Sequence, residues 1–244
     1  MILGLAALMT ATAFLSGIFG MAGGLILIGV LLALMPLPAA MALHAITQMA
    51  SNGWRALLWR RHIIWRQLWA YGAGCLIALV IWSVVFFVPD KPLALLCLGA
   101  TPFLARALPS NWRPDPTRIA DGLLYGLMCM SLMLLTGVTG PLLDTFFLGA
   151  KASDRRGIVA TKATAQVLAH GLKLAYFGGL AAGVDGIDPA LVAVAVAASI
   201  IGTTLARRVL EALTDTQFRL WAQRLIYTIA SWYLAQGVWL LAVR

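Results

Sequence analysis

The chain has 244 residues, 61% of them hydrophobic and only 11% charged, and its mean hydropathy is +0.90. A soluble domain of this size needs far more polar surface to cover its core, so composition excludes a soluble helical protein. The net charge of +9 would suit nucleic acid if it formed one soluble patch, but it is spread over loops between apolar segments, which excludes that partner.

In chain order, the first apolar segment, 2–19, lacks a basic n-region and runs on into more apolar sequence. It is expected to persist as a helix rather than to be cleaved as a signal. Further apolar stretches bounded by charge, Pro or Gly follow at 24–35, 40–59, 67–88, 92–105, 120–137, 141–150, 157–181, 189–206 and 220–242. The pattern predicts an all-α integral membrane protein. Several stretches are long enough for about 30 Å of hydrocarbon at about 1.5 Å per residue. Two are not: 24–35 and 141–150 reach only about 18 and 15 Å at that rise. Each follows a glycine-containing break, Ser16–Gly24 (SGIFGMAGG) and Thr136–Pro141 (TGVTGP). The three cysteines, Cys75, Cys97 and Cys129, sit inside apolar runs with no disulfide or zinc spacing. No cofactor or metal is expected.

The basic residues give the orientation. Arg55, Arg60, Arg61 and Arg66 flank one loop, Arg106, Arg113 and Arg118 the next alternate one, Lys151, Arg155 and Arg156 a third, and Arg207, Arg208, Arg219 and Arg224 a fourth. If segments alternate direction, these fourteen of the eighteen Lys and Arg residues share one side, while Lys91, Arg244, Asp90, Asp185 and Asp188 fall on the other. The positive-inside rule makes the rich side cytoplasmic and places both termini outside, in the periplasmic or extracellular space. Trp54, Trp59, Trp65, Trp69 and Trp82 read as interface anchors.

The two breaks correspond at an offset of 120, Gly17 with Gly137 and Gly20 with Gly140. The helices that follow correspond at 118: His44 with Lys162, Gln48 with Gln166, Asn52 with His170, Gly53 with Gly171, and Arg55 with Lys173. Five segments per half reverse the direction, so the halves are expected to be inverted repeats, 1–107 and 119–244. The Pro-rich stretch 108–118 then forms a cytoplasmic linker. Inverted repeats with short broken segments at equivalent positions point to a secondary-transporter site. A broken helix leaves backbone N–H groups that hydrocarbon cannot satisfy, so the break must face protein, water or ligand. The starts of the two short helices present positive dipole ends suited to an anion.

His44, Gln48 and Asn52 share a face of the third segment; Lys162, Gln166 and His170 share one of the eighth. Gln48 and Gln166 lie about 12–15 Å into their helices, near the midplane. An ionisable group at that depth marks a functional site by default. Lys162 supplies a cation, the glutamines neutral donors, and His44 and His170 either donate to an anion or take a proton. Against this, glutamines and histidines also serve as plain interhelical contacts, and Lys162 lies close enough to the cytoplasmic edge to snorkel. Arg55 and Lys173 read as snorkelling cations. Asp144 is a candidate for pairing with a cation or relaying protons, and Thr136 and Thr139 for capping the break or touching substrate.

The glycine-rich opening Ser16–Gly24, its counterpart Thr136–Pro141 and two halves of this size resemble the TauE/SafE family of sulfite and organosulfonate exporters, over essentially the whole chain. That resemblance implies a bacterial inner-membrane protein carrying sulfite, sulfoacetate, other sulfonates or thiosulfate-like anions. By analogy Gly20, Gly23, Gly24, Gly140, Gln48 and Gln166 line the site. With His44, Thr139, Lys162 and His170, these are the expected substrate-binding residues of an exporter working by alternating access. No catalytic residue is expected, since HExxH, GxSxG and paired intramembrane carboxylates are lacking. The expected partners are a small anion, the bilayer and protons as coupling ion, with a homodimer left open. A passive anion channel, a carrier of small carboxylates and a non-transporting membrane partner are the competing readings.

Overall fold

The computed structural model describes residues 2–19, 22–107, 114–115, 117–140, 142–143, 155–180, 188–212 and 215–243. Nine α-helices and no strand occur among them: α1 (Ile2–Phe19), α2 (Ala22–Leu34), α3 (Leu37–Leu58), α4 (Trp65–Val85), α5 (Lys91–Ala107), α6 (Ile119–Thr136), α7 (Arg155–Ala175), α8 (Pro189–Ala212) and α9 (Asp215–Ala242). A 3-10 turn, Arg60–His62, precedes α4, and a π turn, Tyr176–Leu180, extends α7. The second short segment predicted at 141–150 lies mostly outside the described residues, Leu142 and Leu143 being helical. Gly20, Asp144 and most of the linker also lie outside them.

Local chemistry sets the helix ends. Pro36, extended at φ −57° and ψ 147°, leads into α3, whose first turn contains Pro38, where an N–H would be unpaired anyway. The Asp90 carboxylate accepts from the Leu93 N–H at 2.9 Å, and Asp188 from Ala190 at 2.9 Å, capping α5 and α8. Before α6, the Asp115 carboxylate accepts from both the Thr117 hydroxyl and the Thr117 N–H, which holds it below the usual carboxylate range. α6 stops at Gly137, whose φ of +84° turns its N–H back to the Met133 carbonyl at 2.9 Å.

Among the described residues, five helices are long and apolar enough to cross a membrane: α1, α4, α6, residues 189–209 of α8 and residues 223–242 of α9. At 22 and 21 residues α3 and α7 match them in length but carry the polar residues. The fold is polar within and apolar without. His44, Thr47, Gln48, Ser51 and Asn52 of α3 are buried, while Trp69, Val80, Val84, Leu104, Trp232 and Trp239 are exposed on the outer helices. That is the arrangement a hydrocarbon solvent dictates, because polar groups there need partners inside the bundle. Trp65 and Trp69 are exposed, whereas Trp82 turns inward and donates to the Ser131 hydroxyl at 3.2 Å.

α3 packs on α7 at the centre, α1 chiefly on α8, α4 on α6, and α5 on α9. Glycines bring the backbones together. A Cβ on Gly202 would strike the Thr10 carbonyl of α1, and one on Gly126 the Tyr71 carbonyl of α4, the close approach that small residues permit in membranes. α2 is enclosed. Leu25, Leu27, Ile28, Leu31 and Leu32 are all buried, and the Tyr233 hydroxyl of α9 donates to the Leu25 carbonyl at 2.6 Å.

Candidate functional site

The two breaks meet at the crossing of α3 and α7. α1 ends at Phe19 and α2 begins at Ala22. The reason for Gly23 is steric: a Cβ there would run into the Thr12 carbonyl and the Ser16 hydroxyl, so α2 folds back onto α1 only with glycine at this position. Gly24 faces α3, where a Cβ would stand 3.3 Å from Gln48 Oε1. The Gly24 carbonyl lies 3.0 Å from His44 Nε2. In the other half, α6 ends at Gly137, and the Thr136 hydroxyl caps the break by accepting from the Val138 N–H at 3.2 Å. Thr139 and Gly140 follow, both buried, and helical structure resumes at Gly140.

Lys173 links these elements. Its side chain is fully buried, and Nζ donates to the Gly137 carbonyl at 3.0 Å while lying 2.8 Å from His44 Nδ1. His170, one turn earlier on α7, sets its ring edge-on to His44 with centroids 5.4 Å apart. An unbroken chain therefore runs Gly137 carbonyl, Lys173, His44, Gly24 carbonyl, joining the end of α6 to the start of α2. Contrary to the expectation from sequence, Lys173 does not snorkel; it is fully buried. The π turn carries the helix beyond it, and the carbonyl released at Gly137 draws the ammonium inward.

Arg55, the counterpart of Lys173 at the 118 offset, behaves alike toward the other break. It donates to the Ser16 carbonyl at 3.4 Å and to Asn52 Oδ1 at 2.8 Å. Each cation thus reaches the last turn of the helix before a break, where unpaired carbonyls and the negative dipole end favour it. Ser51 and Thr203 share a hydrogen bond at 2.7 Å that ties α3 to α8.

Of the predicted site residues, His44, Gln48, His170, Gly23 and Gly24 converge on this region, with Thr139 and Gly140 two and three positions beyond Gly137. Gln166 is buried one turn from His170. Lys162 is only half-buried, nearer the start of α7. Gly20 lies outside the described residues. Four side-chain atoms in or beside the region are buried without a partner among the described residues: Ser16 Oγ, Gln48 Nε2, Thr139 Oγ1 and His170 Nδ1. Buried polar groups are rarely left so unless something else meets them. No Asp or Glu is buried among the described residues, so Lys173 has no carboxylate counter-ion there. The chemistry on offer is one buried cation amid neutral donors, which suits a small anion.

Among known proteins, the family model described as sulfite exporter TauE/SafE matches residues 5–232, nearly the whole chain. No curated protein and no solved structure matches it.

Proposed function

We propose that this chain, which belongs to the sulfite exporter TauE/SafE family, is a secondary transporter that moves a small sulfur-containing oxyanion, sulfite or an organosulfonate, out of the cell. The family makes it a multi-pass membrane transporter; cargo, direction and mechanism are the proposal. The observation that carries it is Lys173, a buried cation with no buried carboxylate among the described residues, set between two helix breaks and near four unpartnered polar atoms. A cation left alone at this depth is strongly unfavourable, and an anion of one charge relieves that cost. Gln48 Nε2, Thr139 Oγ1, Ser16 Oγ and His170 Nδ1 would then meet the oxygens, with Gly23, Gly24 and Gly140 keeping the backbone open and Gln166 at the margin.

The helix pairs support two related halves, 1–107 and 119–244. Exchanging each helix for its counterpart, α1 with α6, α3 with α7, α4 with α8 and α5 with α9, turns the α1–α8 pair into α6–α4 and leaves the α3–α7 and α5–α9 pairs as they are. Halves related in this way rock about a shared site to expose it to each side in turn. The charge distribution supports an inner-membrane orientation with both termini outside.

Thermal unfolding of the purified protein with sulfite, sulfate, thiosulfate, sulfoacetate, taurine and simple carboxylates tests the reading, since a ligand of the folded state at about 100 times its Kd adds about 2.7 kcal/mol. A selective shift with a sulfur oxyanion, lost in Lys173→Met, is expected. An equal shift with carboxylates would move the cargo class, and no shift with any anion in folded protein would sink the proposal.

A further inference from the structure

The hydrogens of the chain from Gly137 to Gly24 can be counted. A carbonyl only accepts, so His44 Nε2 carries a hydrogen and donates to Gly24 at 3.0 Å. In the neutral ring Nδ1 is then the acceptor, and Lys173 Nζ donates both to it and to the Gly137 carbonyl. A neutral amine has hydrogens enough for both bonds, and so has an ammonium. A proton moved onto Nδ1 is tolerated too, because an imidazolium Nδ1–H can donate to a neutral Nζ. The chain therefore survives with no charge or with one. It does not survive with two. When Nζ and Nδ1 are both fully protonated, N–H groups confront each other across 2.8 Å with no lone pair between them.

Among the described residues, the ionisable groups that act on His44 are Lys173 and His170. On the neighbouring elements, α1 and α2 carry none. Tyr71 of α4 interacts with Cys75 and with Cys129 of α6, and Tyr176 of the π turn donates to the Phe87 carbonyl. Arg66 and Asp121 stand in the first turns of α4 and α6, with Tyr125 one turn beyond Asp121. Arg207, Arg208 and Glu211 stand in the last turns of α8, and Arg60, Arg61 and His62 in the turn before α4. On α3 and α7 themselves, Arg55 is committed to Ser16 and Asn52, and Arg155, Arg156 and Lys162 lie toward the start of α7.

We infer that the Lys173–His44 pair, with His170 beside it, is a proton-linked latch of this transporter: binding of the anion brings a second proton onto the pair and parts the tie between the two breaks. The inference rests on the anion-transport reading above. Without an anion, two positive charges in this buried place are costly; with a monoanion the total returns to that of the tied state. The empty protein is thus held with its breaks joined, and the loaded one is released. No bond other than the hydrogen bond is broken, and the proton comes from and returns to water.

Sulfite, corrected for its own ionisation, and sulfoacetate are titrated calorimetrically into the full-length protein in two buffers of different ionisation enthalpy. Wild type is expected to take up about one proton per anion, and its affinity to fall on the order of tenfold per pH unit as pH rises. In His44→Gln, uptake per anion bound is expected to vanish whatever the affinity. Anion binding with no proton uptake in wild type overturns the inference and leaves the transport reading standing, and that result needs no variant to fold. Uptake unchanged in His44→Gln also overturns it. Binding of neither anion sinks the transport reading, and the inference falls with it.

Discussion

Lys173 lies two residues from the end of α7, where a lysine stem ordinarily reaches for the interface. What holds it inside is an acceptor supplied from a distant stretch of chain, the Gly137 carbonyl, freed because glycine ends α6 in the left-handed region. Nothing within α7 announces that acceptor. The repeat pairs His44 with Lys162, whereas in space His44 meets Lys173, 129 positions along. Comparing like positions therefore paired the helices that do pack together, α3 and α7, but not the lysine that meets His44. His44, Gln48 and His170 were legible because polar side chains in apolar helices have few reasons to be there. Lys173→Met is expected to weaken anion binding by on the order of 30-fold or more, the loss typical of a buried charge partner. Lys162→Met, at a half-buried position nearer the start of α7, is expected to weaken it less than about threefold, the effect of a charge pair screened by solvent. Calorimetry on the two variants decides, and the reverse order would return the site to Lys162. At Gly137, alanine would have to adopt φ +84° beside Met41 and Ile28, at a cost of about 1–2 kcal/mol from the backbone alone.

The elements themselves were nearly all readable. The predicted 2–19, 24–35 and 120–137 correspond to α1, α2 and α6 within two residues, because glycine and proline punctuate the chain where apolar runs stop. The helix partners were not readable, since small residues that seat one backbone against another look the same as small residues facing lipid. A Cβ added at Gly4 would meet nothing within 4 Å, whereas Gly202 and Gly126 sit against the backbones of α1 and α4. Gly202→Val and Gly126→Val are each expected to destabilise by about 1–3 kcal/mol or more through overpacking, lowering the monodisperse fraction on size exclusion. Gly4→Ala is expected to leave that fraction unchanged. Equal behaviour of all three would mean that the α1–α8 and α4–α6 contacts do not hold the bundle together. Gly23→Ala belongs with the damaging pair, since the Thr12 carbonyl blocks its Cβ. Gly24→Ala, facing the Gln48 amide at 3.3 Å, is expected to spare the fold and alter anion affinity.

For the whole molecule, the arginines gathered at alternate turns predict an orientation with those turns in the cytoplasm. In a background with its three cysteines replaced by alanine, Asp90→Cys is expected to react with a membrane-impermeant maleimide in intact cells, and Arg61→Cys only after permeabilisation. The opposite pattern would invert the transporter in the bilayer. The two central helices carry a further consequence, one for synthesis. Neither α3 nor α7 is among the helices apolar enough to cross a membrane by length and composition, and the lysine that meets His44 is made 129 residues later. At about 5–20 residues per second, the growing chain must keep His44 and Gln48 from lipid for on the order of ten seconds before α7 leaves the ribosome. Insertion of α3 is therefore a provisional state, completed only when the second half arrives.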